Sequence, residues 1–75
     1  MNIDTLRYMA DQIARNFATM EQGDAVAATA EHITLFWDPR MKATIVASDR
    51  AALSPIAAAA VDMLAAQPAP AALQP

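Results

Sequence analysis

Two dipeptides, Asp38-Pro39 and Ser54-Pro55, constrain the fold of this chain more than any other feature. Proline disfavours helical backbone in the residue before it, yet it suits the first turn of a new helix, where its missing N–H is not needed. The side chains of Asp38 and Ser54 can accept hydrogen bonds from the exposed N–H groups of that first turn. The sequence therefore predicts that helices begin at Pro39 and Pro55 and that a preceding helix ends near Trp37.

Composition indicates helices throughout. Alanine is frequent and aromatic residues make up only 5% of the chain, a balance that favours close-packed helices over a sheet. We expect an all-α fold, a small bundle of three to four short helices over residues 1–66, followed by a flexible or partner-ordered Ala/Pro tail over residues 67–75. A chain of 75 residues builds a core with only a few kcal/mol of margin, so we expect it to depend on a partner for stability.

The first helix has one apolar and one charged face. Asn2 or Asp4 can cap it. At helical spacing, the apolar face contains Ile3, Leu6, Met9, Ala10, Ile13, Phe17 and Met20. The opposite face carries charges of alternating sign at Asp4, Arg7, Asp11 and Arg15. Charges three or four residues apart are typical of a solvated surface, so this face is predicted to be wet.

Three further helices follow. Gly23 is predicted to close the first helix in a left-handed conformation, and Asp24 to cap a second helix that runs from about Ala25 to Trp37. A third helix begins at Pro39, and the fourth covers Pro55 to about Ala66. The expected inward residues are Val26, Ala30, Ile33 and Trp37, then Met41, Ile45 and Val46, then Ile56, Ala60, Met63 and Leu64.

The junction of the second and third helices is the predicted partner-binding site. We call it the corner, and it comprises Leu35, Phe36, Trp37, Asp38, Pro39, Arg40 and Met41. Leu35 and Phe36 lie off the inward stripe, so they form a contact patch or are buried under the last helix. Arg40 opposes the positive end of the third helix dipole, and either Asp38 or a carboxylate of another chain can compensate it.

The chain lacks a recognisable catalytic or metal-binding pattern. It contains no cysteine, which excludes a disulfide, a thiolate metal site and an ordinary iron–sulfur cluster. His32 is its one histidine, and no two acidic residues stand three or four positions from it on its helix. A helix also directs neighbouring side chains such as Glu31 and His32 about 100° apart. We therefore predict no catalytic, cofactor-binding or metal residue in this chain.

Charge and hydropathy argue against two classes of partner. A net charge of −3 with five thinly spread basic residues leaves no basic face for nucleic acid. The longest apolar stretch, Ile56 to Val61, is far shorter than the ~18 residues that span a bilayer, and the N-terminus does not read as a signal peptide. We expect a cytoplasmic protein without nucleic acid or membrane partners.

With these motifs located, the sequence resembles the delta subunits of soluble, NAD-dependent, molybdenum-containing bacterial formate dehydrogenases. The segments that carry the resemblance are Leu6–Ile13 with Phe17, His32 followed by Phe36–Met41, and Leu53–Ile56. The middle segment is the most specific. The resemblance implies a non-catalytic accessory subunit of a complex that oxidises formate to carbon dioxide and reduces NAD⁺.

The resemblance also implies partners and cofactors. The expected partner is the molybdenum-containing catalytic (alpha) subunit within a hetero-oligomer. In that family the molybdenum-pterin cofactor, the iron–sulfur clusters and FMN belong to other subunits. Two roles stay open, a permanent structural subunit and a transient assembly chaperone that helps insertion or retention of the molybdenum cofactor. A free-standing small enzyme is disfavoured because no set of polar groups suited to catalysis is evident.

Overall fold

The computed structural model describes residues 2–67 of the chain, and this part is all helical. In chain order its elements are α1 (Ile3–Asn16), α2 (Gln22–Phe36), α3 (Pro39–Ala47), a 3₁₀ turn (Arg50–Ala52) and α4 (Pro55–Ala66). The predicted all-α bundle is confirmed. None of the described helices has the length and apolar character needed to cross a membrane. The predicted tail, beyond Gln67, lies outside the described residues.

The two proline signals produce the expected helix starts. Asp38 Oδ1 accepts from the Met41 N–H at 2.8 Å, and the Ser54 hydroxyl accepts from the Ala57 N–H at 3.4 Å. At the start of α1, Asn2 Oδ1 accepts from the Asp4 N–H at 2.8 Å. Each side chain thus satisfies an N–H group that its helix leaves unpaired.

The connection between α1 and α2 differs from the prediction. Gly23 does not adopt a left-handed conformation, and it lies in the first turn of α2. The chain turns earlier, because the N–H groups of Phe17 and Met20 donate to Ala14 and Phe17 at 3.1 and 3.0 Å. These short backbone bonds close α1 without a left-handed residue. Asp24 therefore does not cap α2, and its carboxylate instead meets the positive end of the helix dipole from within the first turn.

Each helix contributes one large, fully buried aliphatic side chain to the core. These are Leu6 from α1, Ile33 from α2, Ile45 from α3 and Val61 from α4. Around them lie six buried alanines, and Trp37, Leu53 and Leu64 are the other large buried residues. Small side chains allow close approach of helix backbones, and the most extensive packing is between α2 and α4. The core is compact but contains few large side chains, as expected for a domain of this size.

One face of α1, predicted to be fully solvated, is partly buried. Asp11 Oδ1 accepts from the Ser54 N–H at 3.0 Å and so joins α1 to the start of α4. Arg7 on the same face is half-buried. The prediction of a wet face was therefore wrong for these two residues, because α3 and α4 both pack against α1. Periodicity within one helix does not show which neighbours will cover its polar side.

We predict that Asp11→Ala lowers the free energy of unfolding by about 1.5 to 3 kcal/mol, because it removes a charged acceptor from the partly buried Ser54 N–H. Asp11→Asn keeps a carbonyl oxygen there and should lose less. Urea unfolding of the full chain, followed by circular dichroism, measures both. Asp4→Ala is the control, since its weak pair with Arg7 is exposed. Equal losses for Asp4→Ala and Asp11→Ala would contradict a stabilising role for the hydrogen bond between Asp11 and the Ser54 N–H.

Candidate partner-binding site

The corner is built from two extended residues between two helices. α2 ends at Phe36, and Trp37 follows with φ −90° and ψ 140°, its N–H still donating to the Ile33 carbonyl at 3.0 Å. Asp38 is also extended, because Pro39 disfavours helical backbone in the residue before it. The chain therefore leaves one helix, makes two extended steps and enters the next. This geometry sends neighbouring side chains of the corner in different directions.

Three of the seven predicted residues support the corner from within the chain. Trp37 is only 5% exposed and belongs to the hydrophobic core. Met41 is partly buried and packs against that core. The Asp38 carboxylate is engaged by the Met41 N–H as the cap of α3. Trp37 is thus inaccessible in this conformation, whereas Asp38 remains exposed while it caps α3.

Two other residues face outward. Leu35 is 68% exposed and Phe36 is 72% exposed, so neither is buried under α4. We call Leu35 and Phe36 the exposed pair. The Phe36 ring contacts the His32 ring, with centroids 4.7 Å apart and planes inclined by 43°. The contact lies along the last turn of α2, so the exposed pair forms an apolar surface at a helix end.

The two basic residues at the start of α3, Lys42 and Arg40, differ in whether the chain supplies them with a polar partner. Lys42 Nζ donates to the Thr34 carbonyl at 3.2 Å, one of the carbonyls that α2 leaves unpaired near its C-terminus. Arg40 is exposed and forms no ion pair within residues 2–67. The bridge between Arg40 and Asp38, one of the two alternatives for this residue, is therefore not formed. Pro39 beside it is also exposed.

Two further exposed apolar residues and a cleft were not predicted from the sequence. Met20 and Met63 were expected inside, but both are more than two-fifths exposed, Met20 because α1 ends before it. A cleft lies between the end of α1 and the start of α4, lined in part by Asp11, Arg15 and Ser54. Asp11 and Ser54 are already engaged in the hydrogen bonds that begin α4. No periodicity signal in the sequence reveals this cleft, since it depends on how the helices pack.

The polar chemistry of the described region is limited. Within residues 2–67, no three His, Asp or Glu side chains lie together in a way that could hold a metal ion. His32 is half-buried against Phe36. The corner combines an apolar surface with an adjacent cation, an arrangement that suits binding to another protein.

One comparison with known proteins identifies a family. The family model described as NADH-dependent formate dehydrogenase delta subunit FdsD matches residues 5–61 of this 75-residue chain. The matched range covers α1, α2, α3 and the first half of α4, and it includes the whole corner. No curated protein and no solved structure matches significantly.

The structure of the corner predicts a large loss of stability for one aromatic residue and almost none for its neighbour. Trp37→Ala should lower the free energy of unfolding by about 3 to 5 kcal/mol, which is enough to unfold most of a domain this small. Phe36→Ala removes a mostly exposed ring and should change that free energy by less than about 0.5 kcal/mol. Urea unfolding monitored by far-ultraviolet circular dichroism compares them. A folded Trp37→Ala chain with native stability would show that the corner does not depend on this side chain.

Proposed function

Because the chain belongs to the family of NADH-dependent formate dehydrogenase delta subunits, we propose that it is a non-catalytic accessory subunit that binds and stabilises the molybdenum-containing catalytic (alpha) subunit. In this proposal the molybdenum-pterin cofactor, the iron–sulfur clusters and FMN reside in other subunits. The chain remains bound in the active complex as a permanent subunit. Its docking surface is centred on the exposed pair.

The observation that carries this proposal is the exposure of Leu35 and Phe36 side by side. Burying a leucine or phenylalanine side chain contributes roughly 1.5 to 3 kcal/mol, so the pair offers a sizeable free energy to a partner that covers it. Scattered apolar residues are common on protein surfaces, but two large ones adjacent at a helix end are more informative. Their contact with a complementary pocket would give the interface a desolvated centre.

The attachment of the exposed pair strengthens the argument. Phe36 directly precedes buried Trp37 and contacts His32, so its position is set before any partner arrives. A side chain that is already ordered loses less conformational entropy on binding than a mobile one. A small core also gains from a partner, since anything that binds the folded chain alone raises its stability. Both effects favour a lasting association.

The test is co-purification with the catalytic subunit. The full chain is co-expressed with a tagged catalytic subunit, either as wild type or as Leu35→Lys or Phe36→Lys. Lysine suits the negative C-terminal end of α2, so these changes remove apolar contact without penalising the helix. Each should reduce the recovered chain at least about tenfold, the loss expected when one interface anchor is removed. Circular dichroism should show unchanged helicity.

Tyr8→Lys is the matched control, because Tyr8 is 64% exposed on α1 and away from the corner in sequence. It should co-purify like the wild type. Normal recovery of Phe36→Lys would contradict docking through the exposed pair. If the active, molybdenum-loaded enzyme lacks the chain while its deletion lowers molybdenum content, the transient chaperone replaces the permanent subunit.

A further inference from the structure

A shallow cleft between α1 and α3 brings two arginines together. Arg7 lines it from α1 and Arg40 from α3, and the remaining lining includes the apolar side chains of Ile3, Ala43 and Ala47. The two cations are 33 positions apart in sequence, so only the packing of α1 on α3 makes them neighbours of one surface. Two like charges beside one cleft repel each other unless an anion compensates them.

The chain itself compensates these arginines poorly. Arg7 Nη1 lies 3.4 Å from Asp4 Oδ1, but the Asp4 side chain is 82% exposed, and such a pair contributes little. The Arg7 Nε group is buried and has no hydrogen-bond partner in the described residues. Arg40 makes no ion pair there either. By contrast, Arg50 pairs with Asp62 at 2.9 Å. The exposed Arg40 guanidinium therefore retains unmet donor capacity at the cleft, and Arg7 is only weakly compensated.

The other polar groups of the cleft are already used. The Thr44 hydroxyl donates to the Arg40 carbonyl at 2.8 Å, and the Ser48 hydroxyl donates to the Ile45 carbonyl at 2.7 Å. The two guanidinium groups are thus its principal available donors. Guanidinium forks match the planar geometry of a carboxylate, which they can bind with two parallel hydrogen bonds.

From this geometry, and resting on the proposed function, we infer that the cleft receives an acidic side chain, Asp or Glu, of the catalytic subunit. Arg40 belongs to the corner, four residues after Phe36 in the chain, and it is exposed like the pair. A free small anion would find only the two guanidiniums in an open, largely apolar cleft. A carboxylate carried by a protein already docked on Leu35 and Phe36 is held there at high effective concentration.

Charge reversal tests the inference in the co-expressed complex. Arg40→Glu should weaken binding to the catalytic subunit at least about tenfold, because it sets two carboxylates against each other. Glutamate also suits the first turn of α3, so folding should not suffer. Arg7→Met keeps an unbranched apolar stem and removes the guanidinium, and its loss should be smaller, about threefold. Arg40→Lys should retain partial binding, since it keeps the charge and loses the bidentate geometry.

Arg15→Glu supplies the matched control, since it makes the same charge change at an exposed site on α1 outside this cleft. Its binding should stay within about twofold of wild type, as expected for an isolated surface charge. Raising the salt concentration should weaken the wild-type complex more than the Arg7→Met complex, because the wild type has one more charge at the cleft to be screened.

Several results would overturn the inference. Equal weakening by Arg40→Glu and Arg15→Glu would show that only net charge matters. If Phe36→Lys abolishes binding while Arg40→Glu leaves it intact, the proposed function stands and the carboxylate site does not. If the wild-type chain never binds the catalytic subunit, both fail. Tight binding of inorganic phosphate to the free full chain, with shifts in the Arg7 and Arg40 NMR signals, would assign the cleft to a free anion instead.

Discussion

The burial of Trp37 is the interaction on which the rest of this structure depends. Its ring fills the core at the point where α2 has just ended, and its N–H still closes the last turn of that helix. The preceding residue, Phe36, is mostly exposed. Trp37, a buried aromatic residue, and Phe36, a mostly exposed one, are thus neighbours in the chain. The backbone of Phe36 is thus held next to a core anchor, and its ring also contacts His32.

Around this anchor, most polar side chains with a defined partner serve the architecture. Asn2, Asp38, Asp49 and Ser54 each accept a hydrogen bond from a backbone N–H near the start of a helix or turn. Asp11 does the same across the bundle for Ser54. These bonds stabilise helix ends. At the cleft between α1 and α3, Arg7 has only the exposed Asp4 carboxylate, and Arg40 forms no ion pair within residues 2–67.

The small size of the buried side chains limits the stability that this domain can reach on its own. One large, fully buried aliphatic residue per helix, together with six buried alanines, gives close packing with limited apolar area. Hydrophobic stabilisation scales with the buried area, whereas the entropy cost of ordering scales with the number of residues. A surface that covers Leu35 and Phe36 would add apolar burial without adding residues to be ordered. In the proposed complex, partner binding would therefore also raise the stability of this chain.

Local signals in the sequence determined the starts of α3 and α4, the end of α4 and the helical class. Proline and its preceding cap act through the backbone of two or three residues, so no distant contact is needed to read them. The family resemblance, carried by Phe36–Met41 and two flanking segments, was likewise available from the sequence and is confirmed. The same local rules predicted the four α-helices in the order in which they occur along the chain.

Only the tertiary structure decided the features that depend on packing. Backbone hydrogen bonds close the turn before α2, so Gly23 is not needed to end α1. Helices α3 and α4 cover part of the charged face of α1, which the sequence pattern predicted to be fully exposed. Helical periodicity could not choose between burial and exposure for Leu35 and Phe36, since that depends on where α4 lies. The placement of Arg7 and Arg40 beside one cleft was equally hidden. Side-chain pattern reports the direction of a residue on its own helix, whereas its surroundings are set by residues distant in the chain.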